Sequence, residues 1–324
     1  MPTNKKDLLV IGELNMDLIL DEVSSFPELG KEKMAGGLNL TLGSSSAIFA
    51  ANATRLGLST NFCGMIGEDD FGRSVIRELT DFGVHTDYVI NSPEYQTGLT
   101  AIIRHAGDRA MVTYPGAMQH FSMENIPEEA FREACHLHTS ALFFQPGIKE
   151  DLFPIIQRAK AHDMTVSVDS QWDPHEQWDI DFKGLVAEID FFLPNEDELL
   201  NIAGTDSLDE AVITFRPHLT DGAIIVKQGI KGATVITKGK VQQIPGYINE
   251  APVDAIGAGD SFNAGVIYQF LQGNSIEQCA RFGNITGAVS TTASGGTAAI
   301  QSFDAVREIA INQLSITDFD DFTR

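Results

Sequence analysis

Short apolar runs alternate with amphipathic helical patterns along most of this 324-residue chain, and this alternation limits the folds that the chain can adopt. Apolar runs of about four to eight residues between turn signals are typical of strands that are buried on both faces. We predict such strands at residues 8–11, 61–66, 141–144, 165–168, 191–193 and 223–226. Apolar residues at helical spacing predict helices at residues 44–56, 71–82, 152–161, 196–203 and 208–215. The resulting order predicts an α/β fold with a mostly parallel central sheet flanked by helices.

Two segments, at about residues 13–42 and 97–115, do not follow this order. Apolar and polar residues alternate along much of them, and Gly107 and Asp108 mark a hairpin turn, as expected of antiparallel strands. We predict that the two segments form a small β-sheet lid inserted into a single domain of residues 1–324. The alternative is that they are edge strands of the main sheet.

The chain is strongly acidic, with 45 Asp and Glu residues against 22 Lys and Arg residues and a formal net charge of -23. This charge argues against nucleic acid or an anionic membrane as the main partner. The apolar run after Lys6 stops at Gly12 and Glu13, which is too early for a secretory signal, and no stretch approaches a membrane-spanning length. We therefore expect a cytoplasmic protein.

The three cysteines, Cys63, Cys135 and Cys279, lie far apart in the sequence and form no CxxC or Cys/His cluster. Each is expected to be a buried free thiol. Catalysis and metal binding are the less favoured alternatives for these side chains.

The segment from Asp254 to Gly265 combines an anion-binding loop with a base. Small residues at Gly257, Ala258 and Gly259 let the backbone approach a ligand closely, and the apolar run that follows predicts a helix beginning at this loop. Unpaired amides and the helix dipole at such a start can stabilise a phosphoryl group. Asp260 can accept the proton of an attacking hydroxyl. The alternative is a flexible loop in which Asp260 only caps the helix.

Two other segments carry polar groups that suit a nucleotide. Asn195 and Glu198 lie three residues apart at the start of a predicted helix, so both can face the edge of the sheet where open α/β sheets bind ligands. They could hold Mg²⁺ through water, or they could simply be a helix cap and a first-turn acid. Gly229 and Gly232 permit a tight turn beneath a nucleotide, which can also be a β-hairpin turn. Lys227 either contacts phosphate or is a solvated lysine at a strand end.

The order of these segments resembles the PfkB family of carbohydrate kinases, the ribokinase-like enzymes that phosphorylate sugars and some nucleosides. The matching segments are, in order, GELNMD at 12–17, TG at 97–98, YPGA at 114–117, NEDE at 195–198, VKQGIKGA at 226–233 and DAIGAGDSFNAG at 254–265. They resemble the family's first strand and turn, two landmarks beside the lid, the NxxE motif, the nucleotide-binding turn and the C-terminal signature. The resemblance covers most of the chain and implies a ribokinase-like, Rossmann-like three-layer fold with a lid.

The resemblance also implies a role for each candidate residue. It assigns catalysis to Asp260 as the base and to Gly257, Ala258 and Gly259 as the rest of the anion hole. It assigns acceptor binding to Asn15, Asp17, Gly43 and Ser44, and ATP binding to Lys227, Gly229, Gly232 and Asn284. It assigns Mg²⁺ to Asn195 and Glu198, through water, and a monovalent cation such as K⁺ to the surroundings of Asp254. A homodimer formed through the lid is a further implication.

The sequence departs from the family pattern on the acceptor side. Ser44 stands in place of the second of two paired glycines, and Ile48 stands where the family has an Asn that reaches the sugar. Because Ile cannot hydrogen-bond a hydroxyl, at least one usual polar contact is missing. The serines at 44–46 either compensate for it or cap the helix. Met118 also ends a segment that normally ends in Asn.

Two later segments depart as well. The family's Asp-x-Asn-x-Arg region here is DSQWD at 169–173, which lacks the cation. Ala255 and Ile256 replace threonines of the last signature, and this weakens the K⁺ expectation. Three aromatic side chains near the altered region either line the acceptor site or pack at the surface: Trp172, His175 and Trp178.

We therefore expect an enzyme that uses ATP and Mg²⁺ to phosphorylate a hydroxyl of a small sugar or sugar-like polyol, with the lid excluding water. One alternative is a nucleoside kinase, with which Ile48 and Met118 are compatible. The other is a non-catalytic sugar-binding protein on the same fold, against which the retained base Asp260 argues.

Overall fold

The computed structural model describes residues 5–322, which form thirteen strands and eleven α-helices. The strands are β1 (Lys6–Ile11), β2 (Asn15–Asp21), β3 (Gly37–Leu42), β4 (Thr60–Gly67), β5 (His85–Ser92), β6 (Gly98–His105), β7 (Asp108–Tyr114), β8 (Ala134–Ser140), β9 (Thr165–Asp169), β10 (Phe191–Phe192), β11 (Ala223–Lys227), β12 (Ala233–Thr237) and β13 (Val241–Ile244). The helices are α1 (Ser45–Leu56), α2 (Asp70–Asp81), α3 (Glu128–Arg132), α4 (Pro146–Glu150), α5 (Leu152–Ala161), α6 (Phe182–Glu188), α7 (Glu196–Ala203), α8 (Leu208–Phe215), α9 (Ala258–Leu271), α10 (Ile276–Ser290) and α11 (Phe303–Asn312). No helix among these residues is both long and apolar enough to cross a membrane.

Nine strands form the main sheet in the order β13-β12-β11-β10-β9-β8-β1-β4-β5. The pairs from β5 to β11 are parallel, and β12 and β13 continue the sheet antiparallel. Successive side chains of β1 point to opposite faces of the sheet, and each face has its own hydrophobic core. Leu8 and Val10 pack in one core, and Leu9 and Ile11 pack in the other. Helices α1, α2 and α9–α11 cover the first face and α3–α8 the second. The predicted α/β class and its flanking helices are confirmed.

The remaining strands form a separate sheet in the order β3-β2-β6-β7, which we call the lid. Strands β2 and β6 pair parallel, and the other two pairs are antiparallel. The β6–β7 hairpin turns at Ala106 and Gly107, whose φ angles of 50° and 86° suit a tight two-residue turn. Because these strands pair only with each other, the edge-strand alternative for them is wrong.

The strand predicted at residues 141–144 is wrong. The strand is β8, and residues 142–144 form a single 3₁₀ turn. The apolar pattern does not reveal β8 because the strand contains the polar residues His136 and His138. Both side chains are buried, and they contact the hydroxyls of Thr165 and Ser167. Burial lowers the pKa of His138 to about 3, so the ring is neutral in the sheet.

One cysteine also differs from its prediction. Cys63 and Cys279 are buried free thiols, as expected, whereas Cys135 is exposed. Cys135 lies on β8, where its neighbours Ala134 and His136 point into the protein. Its exposure is confined to this end of the strand, since Leu137 and Thr139, which share its face, are buried.

Candidate active site

A cavity of about 1070 Å³ lies between the carboxyl ends of the main-sheet strands, the start of α9 and the lid. Every residue predicted for the site lines this cavity except Gly43 and Asp254. Segments that follow β1, β9, β10 and β11 all contribute to it. The cavity is therefore at the sheet edge where open α/β proteins bind ligands.

The start of α9 forms one wall of the cavity. Helix α9 begins at Ala258, so the predicted loop is partly the first helical turn. Gly257 caps the helix in the left-handed conformation, at φ 72°, and a Cβ there would lie 2.5 Å from the Cα of Gly296. The bond from Ser261 N to Gly257 O, at 2.8 Å, is the first of the helix, so the amides of Gly259 and Asp260 precede it. A helix start of this kind suits an anion.

Asp260 is buried at this helix start and lines the cavity. Its Oδ1 accepts a hydrogen bond of 3.1 Å from Nε2 of Gln171, and its Oδ2 has no hydrogen-bond partner among residues 5–322. Burial and the nearby charge of Asp169 raise its pKa well above the usual range. A carboxylate with a raised pKa and one free oxygen is suited to accept a proton from a ligand.

Asp260 belongs to a buried polar network centred on Asp169, at the end of β9. Asp169 accepts hydrogen bonds from Lys227 Nζ at 2.5 Å, from Asn263 Nδ2 at 2.6 Å and from the backbone N of Gln171 at 3.1 Å. We call this network, together with the turn at 229–232, the donor side of the cavity. From the sequence, Asp169 and Gln171 are identified only as part of a motif that lacks its usual cation, and Asn263 is given no role.

Lys227 is not the solvated lysine of the alternative prediction. Its side chain is only 11% exposed. Burial alone would lower its pKa, but the charges of Asp169 and Glu198 raise it, so the ammonium group stays charged. A Cβ built on Gly259 would lie 3.7 Å from Lys227 Nζ, which places this charge beside the anion-binding turn.

Asn195 and Glu198 form the helix cap of the alternative prediction. Glu198 N donates to Asn195 Oδ1 at 2.8 Å, while Asn195 N and Nδ2 donate to the two carboxylate oxygens of Glu198 at 2.9 and 2.7 Å. Burial and the charge of Asp169 raise the pKa of Glu198 to about 7. Each carboxylate oxygen keeps a further acceptor position, so the pair fits a water of Mg²⁺ as well as a cap. Residues 5–322 contain no group of three or more His, Cys, Asp or Glu side chains that could hold a metal directly.

The nucleotide-side glycines lie in a turn between β11 and β12. Gly229 and Gly232 have φ angles of 56° and 95°, and a Cβ on Gly232 would lie 2.1 Å from the carbonyl oxygen of Ile244. The turn therefore needs glycine, and it also closes a β-hairpin, as the alternative foresaw. Asn284, on α10, donates to the carbonyl oxygen of Pro245 at 3.0 Å and lines the cavity beside this turn.

On the opposite side, Asn15 and Asp17 project from β2 of the lid into the cavity. Asn15 Nδ2 donates to Asp17 Oδ1 at 3.0 Å and to Thr100 Oγ1 at 3.1 Å. Burial raises the pKa of Asp17 to about 6. A Cβ on Gly43 would lie 2.3 Å from Asp17 Oδ1, so Gly43 makes room for these side chains without lining the cavity itself.

Glu13 is a cavity residue that sequence reasoning missed as a site residue. Ser44 Oγ donates to its Oε1 at 3.0 Å, and Ser46 contacts it through both its backbone N and its hydroxyl. Ser44 Oγ also accepts a hydrogen bond of 2.9 Å from the backbone N of Ala47. The same side chain therefore both caps α1 and orients Glu13. Burial raises the pKa of Glu13 to about 7. We call Glu13, Asn15, Asp17, Ser44 and Ile48 the acceptor side of the cavity.

Apolar groups complete this side. Ile48 is buried, and its side chain lies 2.7 Å from a Cβ built on Gly296, so it packs on the loop beside the anion hole. Met118 is buried at the cavity wall, and Trp172 is an exposed residue that lines it. Trp178 packs edge-to-face on Trp172, with ring centroids 5.3 Å apart. Neither His175 nor Trp178 lines the cavity.

Asp173 stands where the family pattern has a cation, and it has a structural role. Its carboxylate accepts backbone N–H bonds of 2.8 Å from His175, Gln177 and Trp178. It therefore fixes the loop that carries Trp172. Among residues 5–322 the hydrogen bonds of this carboxylate all lie within the loop.

Asp254 lies just before the anion hole and faces the lid. Its Oδ2 accepts from Arg104 Nη2 at 2.6 Å and from Gly295 N at 3.0 Å, and its Oδ1 accepts from Ile256 N at 3.0 Å. Burial opposes ionisation, yet these donors hold the pKa of Asp254 below its usual value. A guanidinium group thus pairs with the carboxylate near which the resemblance places a monovalent cation, and its charge disfavours such an ion at Oδ2.

Comparisons with known proteins show the family and the fold. Residues 5–302 match the model of the pfkB family of carbohydrate kinases. Ribokinase from Bacillus subtilis is 25% identical over 94% of this chain and 99% of its own length. Deoxyribokinase from Salmonella typhimurium is 27% identical over 95% of this chain and 100% of its own length. A ribokinase-like protein from E. coli, ribokinase II in complex with ATP and Mg²⁺, has the same fold, with a TM-score of 0.82 at 22% identity over 93% of this chain and 98% of that one.

Proposed function

The chain belongs to the pfkB family of carbohydrate kinases, and from this premise we propose that it transfers the γ-phosphoryl group of ATP to a hydroxyl of a small sugar or sugar-like polyol. The observation that carries the proposal is the position of Asp260. It is a buried carboxylate at an anion-binding helix start, with one oxygen free of protein partners, in the cavity that the nucleotide turn and the acceptor side share.

In this proposal Asp260 accepts the proton of the attacking hydroxyl. The acceptor oxygen forms a bond to the γ-phosphorus, the bond from that phosphorus to the β–γ bridging oxygen breaks, and ADP leaves. The amides of Gly259 and Asp260 and the charge of Lys227 stabilise the transferring group. When bound, Mg²⁺ would neutralise charge on the phosphates, and Asn195 and Glu198 would hold it through water.

On the acceptor side, carboxylates recognise hydroxyl groups. Asp17 and Glu13 are buried acceptors that line the cavity, and a sugar offers several O–H donors at the spacing of neighbouring carbons. The lid supplies Asp17, so closing it would complete the site and exclude water. We assign Asn15 and Ser44 to orienting these two carboxylates.

A nucleoside kinase is the second candidate. Ile48, Met118 and Trp172 give the cavity apolar surface next to the polar groups, and a base could pack there. This surface equally suits a deoxygenated part of a sugar. A non-catalytic sugar-binding protein is disfavoured because binding alone does not need Asp260.

We also propose that two copies of the chain pair through their lids. Asp17 and Thr100 face the cavity, so the alternate residues of the lid strands face away from it. That outer face exposes apolar side chains at both edges, with Leu38 69% and Val112 72% exposed. Covering them favours a symmetric dimer. A Val112→Glu variant that stays a monomer in light scattering, beside a dimeric wild type, would support this.

The function is tested by ADP release across a panel of sugars, polyols and nucleosides, with Asp260→Asn as the matched control. We expect turnover with at least one sugar or polyol and its loss in the variant. A nucleoside as the best acceptor would favour the second candidate. Tight binding of a sugar without any turnover would contradict the proposed kinase activity.

A further inference from the structure

A lid arginine reaches the loop that precedes the anion hole. Arg104 lies on β6, and its side chain is 24% exposed, while that of Asp254 is only 6% exposed. Besides its 2.6 Å pair with Asp254, Arg104 contacts Asp21 Oδ1 of β2 at 3.3 Å. The guanidinium group therefore joins the lid to the segment that precedes α9.

Asp254 in turn holds two segments of backbone around the anion hole. It accepts the amide of Ile256, directly before the cap residue Gly257, and the amide of Gly295. Gly296 follows and packs so closely on Gly257 that a Cβ there would lie 2.5 Å from it. The position of Asp254 thus determines how these two segments meet.

The pair also determines which cation this carboxylate can take. Oδ2 of Asp254 already accepts bonds from Arg104 and Gly295, and the Ser294 hydroxyl lies 3.5 Å from it, so both acceptor positions of this oxygen are used. A metal ion at this oxygen would lie beside a fixed guanidinium charge, and the repulsion would be strong in a partly buried site. No other Lys or Arg side chain among residues 5–322 pairs with Asp254.

We propose that Arg104 is the built-in cation of Asp254: it takes the place of the monovalent metal ion that the family resemblance implies, and it positions the anion-hole backbone from the lid. Turnover therefore does not depend on K⁺ or Na⁺. Because the cation belongs to the lid, the anion hole is fully ordered only when the lid is in place. Arg104 acts here as a positioning residue, since it does not itself line the cavity.

The first test needs no variant and no turnover. The melting temperature of the wild type is measured in KCl and in tetramethylammonium chloride. Both salts are used at an ionic strength of about 0.1 M, so that charges in the protein are screened equally. The proposal predicts equal melting temperatures with and without ATP, and equal turnover once an acceptor is known. A specific stabilisation by K⁺, or a severalfold activation, would overturn it. The melting readout stands even if no sugar is phosphorylated, so it is independent of the proposed function.

The second test separates positioning from general stability. Arg104→Met should lower kcat about tenfold or more with little change in the KM for ATP, because it leaves the Asp254 charge unpaired, and Arg104→Lys should keep most of the turnover. Asp21→Asn is the matched control, since it removes the other partner of Arg104 and leaves the Asp254 pair. Kinetics of Arg104→Met that match those of Asp21→Asn would contradict the proposal.

Discussion

The donor side and the acceptor side of the cavity are built on different supports. On the donor side, Asp169, Lys227 and Asp260 come from the ends of main-sheet strands and from α9, and one hydrogen-bond network joins them. On the acceptor side, Asp17 lies on the lid while Glu13 and Ser44 lie on the connections around it. Under the proposed function, the difference teaches that the groups assigned to phosphoryl transfer lie on the main sheet and on α9, whereas the groups assigned to acceptor recognition lie on the lid and its connections.

The largest effect is expected at the base. Asp260→Asn should lower kcat by about 10²-fold or more, because the amide cannot accept the hydroxyl proton. Steady-state kinetics give the rate, and an unchanged melting curve shows that the variant folds. Near-wild-type turnover of Asp260→Asn would contradict the assignment of Asp260 as the catalytic base.

The donor-side network should also show in stability. Lys227→Met leaves the buried Asp169 charge unpaired and should lower the free energy of unfolding by about 3–5 kcal/mol. The double variant Lys227→Met/Asp169→Asn should recover part of this loss without recovering turnover. Urea unfolding of the three proteins makes the comparison. A single variant within about 1 kcal/mol of wild type would show that the pair is not the centre of the network.

The pH profile should reflect both sides. Asp260 must be ionised to accept a proton, and burial and the charge of Asp169 raise its pKa well above the usual range, so kcat should fall as the pH is lowered, about tenfold per unit at the limit. Acceptor binding should weaken as the pH falls through the Asp17 pKa of about 6. In Asp17→Asn the pH dependence of acceptor binding should vanish, while the pH dependence of kcat should remain. A kcat that is flat down to about pH 5 would contradict the assignment of the base.

Asp17→Ala separates the two sides most simply. We expect the KM of the acceptor to rise about tenfold, since one charged hydrogen-bond acceptor is lost, while the dissociation constant of ATP stays unchanged. Calorimetry measures the nucleotide, and kinetics measure the acceptor. Weaker ATP binding with an unchanged acceptor KM would contradict the assignment of Asp17 to acceptor binding.

The smallest effect concerns the apolar position on the acceptor side. We expect ribose to be a poor acceptor because Ile48 offers no hydrogen bond, and Ile48→Asn should raise the kcat/KM of ribose severalfold relative to the best acceptor. The ratio is the measured quantity, because Ile48 also packs on Gly296 and both rates can fall together. Ribose as the best acceptor of the wild type would refute this interpretation of the pocket.

The sequence was informative where the signal is local. Alternating apolar runs predict the layers, and the apolar run that begins at Phe262 predicts the helix after the Gly257 loop. The donor network could not be foreseen from spacing, because Gln171 and Asp260 are 89 residues apart and Asn263 and Asp169 are 94 apart. Such contacts depend on which strand ends the sheet order brings together.

Two other features, strand β8 and the position of Glu13, are not predicted because they depend on buried polar residues. The apolar pattern places a strand after β8 and not at β8, because the histidines of β8 are neutral and paired in the core. The pattern assigns Glu13 to a turn, although Ser44 and Ser46 hydrogen-bond its carboxylate. In each case a polar residue is buried through partners that lie distant in the sequence, and hydrophobic patterning does not register that.

The most direct test of the central claim is to follow the phosphoryl group itself. ³¹P NMR of ATP, Mg²⁺, the enzyme and the best acceptor should show the γ-phosphate signal disappear while a sugar phosphomonoester signal grows in equal amount with ADP, and Asp260→Asn should show neither change. Loss of ATP that yields only inorganic phosphate, or no loss with any acceptor that binds, would contradict a kinase whose donor side transfers phosphoryl groups to a sugar hydroxyl.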